Sequence, residues 1–556
     1  MGGTLKLTVL TYPSFIPLNN AREEIDRKIL YISALKGPSL YISQFGIAPP
    51  FLFLVCCTMQ LKRPARSATL CSLSNELILL ILSNFCLHCR QGPHETPQVY
   101  FPATGQRRDE PSWYALDILA LHSMSLVSRR LSPLAQEILY HEFIPGYGDS
   151  WYADAYDFDW RLAKFLRAVA RNRDRAASVK RLHINVNLLT GISRDSAEAV
   201  LQDAAQVRGI DASAFIRPFR DLRHPFSPDQ YRPFGDELLG LLLACLPHLK
   251  TLSFTAGASL QGIPASALRT AGVSTLPIET LEIMCCIESL GSRLDGIVEL
   301  ASSTIRNLYI DICDGVGLSL LNRRGYFPNL RNLCIANSRL SGSDLSSFLS
   351  RYGNLVTFSY ESVMRDDDFL LSDAVAQLIR NKETLQTLHL DISPLQHTPG
   401  GNGRSPTELL ASLNSFPVLR NLLLSSRLLY HGAVDSADED ASVLTRLLPR
   451  SIVSLQVMVA DNMETQGVLP RLATGLVHLA QAVSQGQFRN LKSVSCITEQ
   501  RLDGYDLDAM FAVAGADFGY DGWQFNDKMP GRRSGFRLGS LARSITPVSS
   551  DDETDS

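Results

Sequence analysis

Residues 330–340 read LRNLCIANSRL. Leu330, Leu333, Ile335 and Leu340 stand first, fourth, sixth and eleventh in this stretch, and Ser338 stands ninth. The pattern is L-x-x-L-x-L-x-x-N/C-x-L, with Ser338 in the Asn/Cys place. Its fourth and sixth residues fall on one face of an extended chain, because successive side chains on a strand point to opposite sides. The ninth is where the backbone turns away, and a small polar group there bonds backbone left unpaired at the turn. Any strand with one apolar face resembles a single copy, so recurrence has to decide.

The first-fourth-sixth pattern recurs at Val179/Leu182/Ile184, Leu249/Leu252/Phe254, Ile278/Leu281/Ile283 and Ile305/Leu308/Ile310. It continues at Leu355/Phe358/Tyr360, Leu385/Leu388/Leu390, Leu419/Leu422/Leu424, Ile452/Leu455/Val457 and Leu491/Val494/Cys496. From Leu249 to Leu385 the starts fall 29, 27, 25, 25 and 30 residues apart, later intervals widen to 34, 33 and 39, and the first is 70. Asn187, Cys286 and Cys313 hold the ninth place, with Ser393 and Ser338 as substitutes. Between the strands, Asp236–Leu246, Leu290–Ala301, Asp344–Tyr352, Ser372–Arg380 and Thr407–Leu413 carry apolar residues at helical spacing. Such a strand-plus-helix unit cannot bury its apolar face alone, so neighbours must stack. The expected fold is α/β: an irregular leucine-rich-repeat solenoid over 177–500, with parallel strands on the concave face and helices outside. An ordinary α/β domain with Leu-rich strands is the alternative.

The 556 residues are 45% apolar and 20% charged, with a formal charge of −3. That balance describes a globular chain with no general attraction to nucleic acid or acidic membranes. The eleven cysteines are odd in number, and Cys245, Cys313, Cys334 and Cys496 sit inside apolar patterns. They read as buried thiols of a reducing compartment, cytoplasmic or nuclear. Residues 1–58 fit poorly with the rest and read as a non-structural or mispredicted leader; the apolar run Phe51–Cys57 is too short to span a bilayer.

Ahead of the repeats, residues 71–86 read CSLSNELILLILSNFC. Leu73, Leu77, Leu80 and Ile81 share one helical face, Leu82 and Phe85 lie beside them, and Ser74 is a candidate N-cap. Residues 117–143 add two amphipathic segments parted near Pro133. Leu73-Ser74-Asn75-Glu76-Leu77, Asp117-Ile118-Leu119-Ala120-Leu121, and Ser125-Leu126-Val127-Ser128-Arg129-Arg130-Leu131 with Leu134-Ala135 resemble the F-box in its fungal form, LPxELLxxIL…DLLALSLVSRRFxxLA. Ser74 replaces the usual Pro, and an insert at 87–116, read as a surface loop, separates the first two helices. The resemblance implies a small helical module over 70–143 that docks on the Skp-type adaptor, and through it the cullin, of an SCF-type cullin–RING ubiquitin ligase. It also implies that the repeats hold a protein substrate. Leu73, Leu77, Ile78, Ile81, Leu82, Leu119, Leu126 and Val127 are the adaptor contacts expected on this resemblance.

The third, fifth and seventh positions of each repeat face away from the buried fourth and sixth. Acids recur there at Glu282, Asp311, Glu361 and Asp391, beside Tyr309 and His389. Stacked strands lie ~4.8 Å apart, so these residues are expected to form a substrate-binding, negative stripe that favours a basic partner.

No catalytic motif is present: there is no G-x-S-x-G, H-E-x-x-H or Walker A sequence. Cys86-x-x-Cys89, with His88 and His94, has the spacing of half a zinc site. No second Cys or His pair follows in the insert, so the spacing is read as coincidence. No catalytic residue, cofactor or metal ligand is assigned. Trp151–Trp160 reads as part of a helical linker over 144–176, Gly400–Gly403 as a loop, and Asp435–Asp440 as an acidic loop. After Cys496 the pattern stops; 501–528 reads as a cap with a helix at Leu507–Ala514, and 529–556 as a disordered acidic tail. The function expected is that of a non-enzymatic substrate receptor. The alternative is a repeat scaffold with a degenerate F-box and no ligase role.

Overall fold

The computed structural model describes residues 70, 73–90, 113–145, 161–185, 194–213, 215, 235–255, 265–286, 295–313, 318, 326–338, 340–362, 376–392, 411–430, 437–459, 467–498, 502 and 504–521. These belong to one compact unit, Ala68–Ser556. The expectations for 1–58, His94, Trp151–Trp160, Gly400–Gly403 and 529–556 lie outside the described residues.

Helices α1 (Asn75–Ser83), α2 (Leu87–Arg90), α3 (Trp113–Val127) and α4 (Leu131–Leu139) come first, and strand β1 (Glu142–Phe143) follows. Helices α5 (Arg161–Arg171) and α6 (Arg173–Ser178) lead to β2 (Arg181–Asn185). Next are α7 (Arg194–Arg208), α8 (Gly235–Cys245), β3 (Thr251–Thr255), α9 (Ala265–Thr270), β4 (Thr280–Cys286), α10 (Asp295–Ala301), β5 (Asn307–Cys313) and β6 (Asn332–Ser338). Then come α11 (Gly342–Leu349), β7 (Thr357–Ser362), β8 (Thr387–Ile392), β9 (Asn421–Ser425), α12 (Ser426–Leu429), α13 (Ala437–Leu447) and β10 (Ser454–Met458). The last elements are α14 (Val468–Ser484), β11 (Ser493–Ile497), α15 (Leu507–Ala514) and β12 (Asp517–Asp521). Residues 376–378 are helical and run into a 3₁₀ turn at Ile379–Asn381, and a second 3₁₀ turn spans Ala411–Ser415.

The twelve strands among the described residues form one sheet whose spatial order is the chain order, and every pair is parallel. Thr251 faces Thr280, then Asn307, Asn332, Thr357, Thr387, Asn421, Ser454 and Ser493 in successive strands. These are the third positions of the sequence units, so the pattern's phase is the register. An α/β fold with a sequentially ordered parallel sheet is compatible with a solenoid. No helix among the described residues is long and apolar enough to cross a membrane.

The fourth and sixth positions build the core. Leu252 and Phe254, Leu281 and Ile283, Leu333 and Ile335, and Leu388 and Leu390 are all buried in one continuous apolar cluster that includes inward residues of the helices. Burying each such side chain stabilises the fold by about 1.5–3 kcal/mol relative to leaving it in water. Hydroxyls placed just before the strands stitch repeat to repeat. Thr304 Oγ1 donates to the Leu276 and Ile278 carbonyls, Thr384 Oγ1 to Leu355, and Ser451 Oγ to Leu419. Ser338, in the ninth place of its unit, is buried and donates to the Ala336 carbonyl at 2.7 Å.

Three differences from the sequence reading follow. The pattern does not stop at Cys496: β12 pairs with β11, and Phe518 and Tyr520 pack against the core. Leu87–Arg90 and Trp113 onward are helical, so the insert is not loop throughout. Residues from Ala437 start α13 instead of a loop, because acids suit a helix N-terminus. Asp440, in its first turn, takes two bonds of 2.8 Å from Arg471.

Candidate functional site

Helices α1, α3 and α4 pack around Ile78, Leu82, Cys86, Leu121, Leu131, Leu134, Ala135 and Ile138. The Ser74 hydroxyl accepts the Leu77 N–H at 3.5 Å and caps α1. Arg130 donates to the Leu73 carbonyl at 2.6 Å and to Asn75 Oδ1 at 3.0 Å, which ties the α3–α4 turn to the start of α1. The Ser128 hydroxyl accepts the Leu131 N–H at the head of α4.

This packing divides the expected adaptor contacts. Ile78 and Leu82 are buried in the module's interior and offer no surface to a partner, a correction to the sequence reading. They lie on the face of α1 that meets α3 and α4, and leucine spacing alone does not tell the two apolar faces apart. Leu73 is half-buried. Leu77, Ile81, Leu119, Leu126 and Val127 are exposed, with Leu126 at 73% and Val127 at 63%. Leu80, one turn from Leu77, joins them at 65%. The sequence placed Leu80 on that face without counting it as a contact.

The polar face of the sheet differs more sharply from expectation. Glu282, Tyr309, Asp311, His389 and Asp391 are buried, and Glu361 is half-buried. They do not form an open, solvated stripe. Glu282 faces a buried cation: Arg181, two strands away on β2, sits 3.4 Å from its carboxylate, and Ser253 donates to the same group. A buried carboxylate needs such compensation. Glu282 also falls out of line with the other acids: it opposes Tyr309, whereas Asp311, Glu361 and Asp391 hold the seventh place of their units and Glu361 opposes Asp391. Tyr309, Cys334 and Ala336 form an apolar patch between Glu282 and Glu361, and burial pushes the Cys334 thiol up to about 12. Beyond it, the Ser359 hydroxyl and His389 Nδ1 are 2.8 Å apart. Along one edge of this face Asn332 bonds Asn307, which bonds Thr280, a side-chain ladder across three strands.

A third cluster lies where α2 meets β1. Cys86, His88 and Cys89 converge there with His141. His141, at the far end of the module, thus stands beside the Cys86-x-x-Cys89 spacing that the insert alone leaves without a further partner. The hydrogen bond between the two sulfurs holds Cys89 below the ordinary thiol range and lifts Cys86 above it. No signal in the sequence links His141 to Cys89, 52 residues away.

The chain matches no protein-family model and no curated protein.

Proposed function

We propose that this protein is a substrate receptor of an SCF-type cullin–RING ubiquitin ligase. In this reading α1, α3 and α4 form an F-box-like dock for a Skp-type adaptor, and the leucine-rich repeats carry the substrate-recruiting surface. The supporting observation is that Leu77, Leu80 and Ile81 on α1 and Leu119, Leu126 and Val127 on α3 are left in water on a small module that already has an interior of its own. An apolar patch held in solvent beside a filled core is what a partner helix covers. The Ser-Arg-Arg turn joining α3 to α4 supports the same reading, since Arg130 fixes how the two exposed helices meet.

The test is co-purification with a Skp-type adaptor, comparing the full chain with Leu80→Lys/Leu126→Lys. Both positions are exposed, so the double variant should stay within about 0.5 kcal/mol per site of the parent's stability and lose the adaptor. Ile78→Ala is the control: it should lower stability by about 2–5 kcal/mol by opening the interior. A folded parent chain that recovers no adaptor would instead favour a repeat scaffold without a ligase role.

A further inference from the structure

Cys86 immediately precedes α2, His88 and Cys89 lie within it, and His141 is the residue before β1. One ligand atom from each of the four lies within 4.8 Å of every other. Cys89 Sγ is 3.2 Å from His141 Nδ1 and 3.7 Å from His88 Nδ1, and Cys86 Sγ is 4.0 Å from His141 Nδ1. Sulfur and nitrogen ligands held at about 2.3 Å and about 2.0–2.1 Å from a tetrahedral zinc stand roughly 3.3–3.8 Å from one another. The separations here are close to the edges of that tetrahedron. A simple thiol–imidazole hydrogen bond would bring two groups together; it gives no reason for four to converge.

We propose that Cys86, His88, Cys89 and His141 bind a single zinc ion. Two thiolates and two imidazoles are a soft and borderline donor set suited to zinc, and four protein ligands close the coordination sphere, as in structural sites. Cys86 is buried and the other three are half-buried, which limits water's access. The surroundings hold the donors in place. The buried Glu142 carboxylate accepts the Leu87 and His88 N–H groups, both at 3.0 Å, and so pins α2 beside His141. The His141 carbonyl accepts the N–H groups of Lys180 and Arg181 at the entry to β2. Bonds of this kind orient a metal's ligands. An ion here would further fasten the small helical module to the first strand of the sheet. Binding displaces the thiol protons to solvent, with no redox step.

The experiment is metal analysis of the full chain, purified under reducing conditions without chelator and desalted after exposure to zinc. Equimolar zinc is expected, released by a thiol-reactive mercurial. Cobalt in its place should give the visible absorption of a tetrahedral, thiolate-bound ion. Cys89→Ser and His141→Ala should each lose the metal, whereas His141→Cys should keep it. Should these variants not fold, alkylation of the parent chain decides: Cys86 and Cys89 should be protected by zinc and labelled after chelation, as read by peptide mass spectrometry. No retained zinc, unchanged zinc in a folded Cys89→Ser chain, or equal labelling with and without zinc would each overturn the proposal. None of these readings depends on whether an adaptor binds.

Discussion

Arg181 is 2% exposed, and its guanidinium answers the equally buried Glu282. Removing one partner strands the other charge in a medium of low polarity. Arg181→Ala or Glu282→Gln should therefore cost about 3–5 kcal/mol in urea unfolding, while Arg181→Met with Glu282→Leu should recover most of it. His183, on the same strand, is held down to about 4 by burial first and the Arg181 charge second. It is neutral in the folded chain but titrates near its ordinary value of 6.5 when unfolded. Its contribution to stability is complete above about pH 6.5 and is lost as pH falls towards about 4. Melting temperature measured across that window should fall less steeply for His183→Gln than for the parent. Residues of this kind show where sequence reading stops. Strand alternation told which side Glu282, Asp311 and Asp391 occupy, because period-two geometry is local. It did not tell that the side is closed, nor that an arginine a hundred residues away neutralises the first of them. The same holds for His141, whose thiol partners lie beyond any local window.

Among the elements, the strands were the most legible. Their apolar fourth and sixth positions are forced by the core, and the phase of ten copies is the register of the sheet. The two missed strands lack that signature for identifiable reasons. β1 has only two residues before Pro145. For β12 the leading apolar position is Gly515, needed in the left-handed conformation (φ 82°) that ends α15. Helices were less legible because several are short. The longest of the outer helices, α14, makes one tight approach: a Cβ on Gly475 would press on the Tyr430 hydroxyl and lie 3.4 Å from the Asp440 carbonyl. Gly475→Ala should therefore destabilise by about 1–3 kcal/mol, although alanine favours a helix by about 1 kcal/mol over glycine. Adding Tyr430→Phe should restore part of the loss in thermal unfolding.

At the scale of the whole molecule, each described strand pairs with its sequence neighbours, so stability should behave largely as a sum of units and the contacts between adjacent ones. Leu281→Ala and Leu308→Ala, on paired positions of β4 and β5, should show a coupling of about 0.5–3 kcal/mol in a double-mutant cycle. Leu252→Ala with Val494→Ala, at opposite ends of the sheet, should add to within about 0.3–0.5 kcal/mol. The strict chain-order arrangement also bears on synthesis. Bonded rungs from β5 onward are commonly 25 to 39 residues apart, so a nascent strand meets its template within seconds of the previous one leaving the ribosome, at about 5–20 residues per second. The polypeptide can thus zip shut from its amino-terminal end while translation continues. A stall anywhere in the message would leave a partly built ribbon with one raw, growing edge instead of a collapsed tangle.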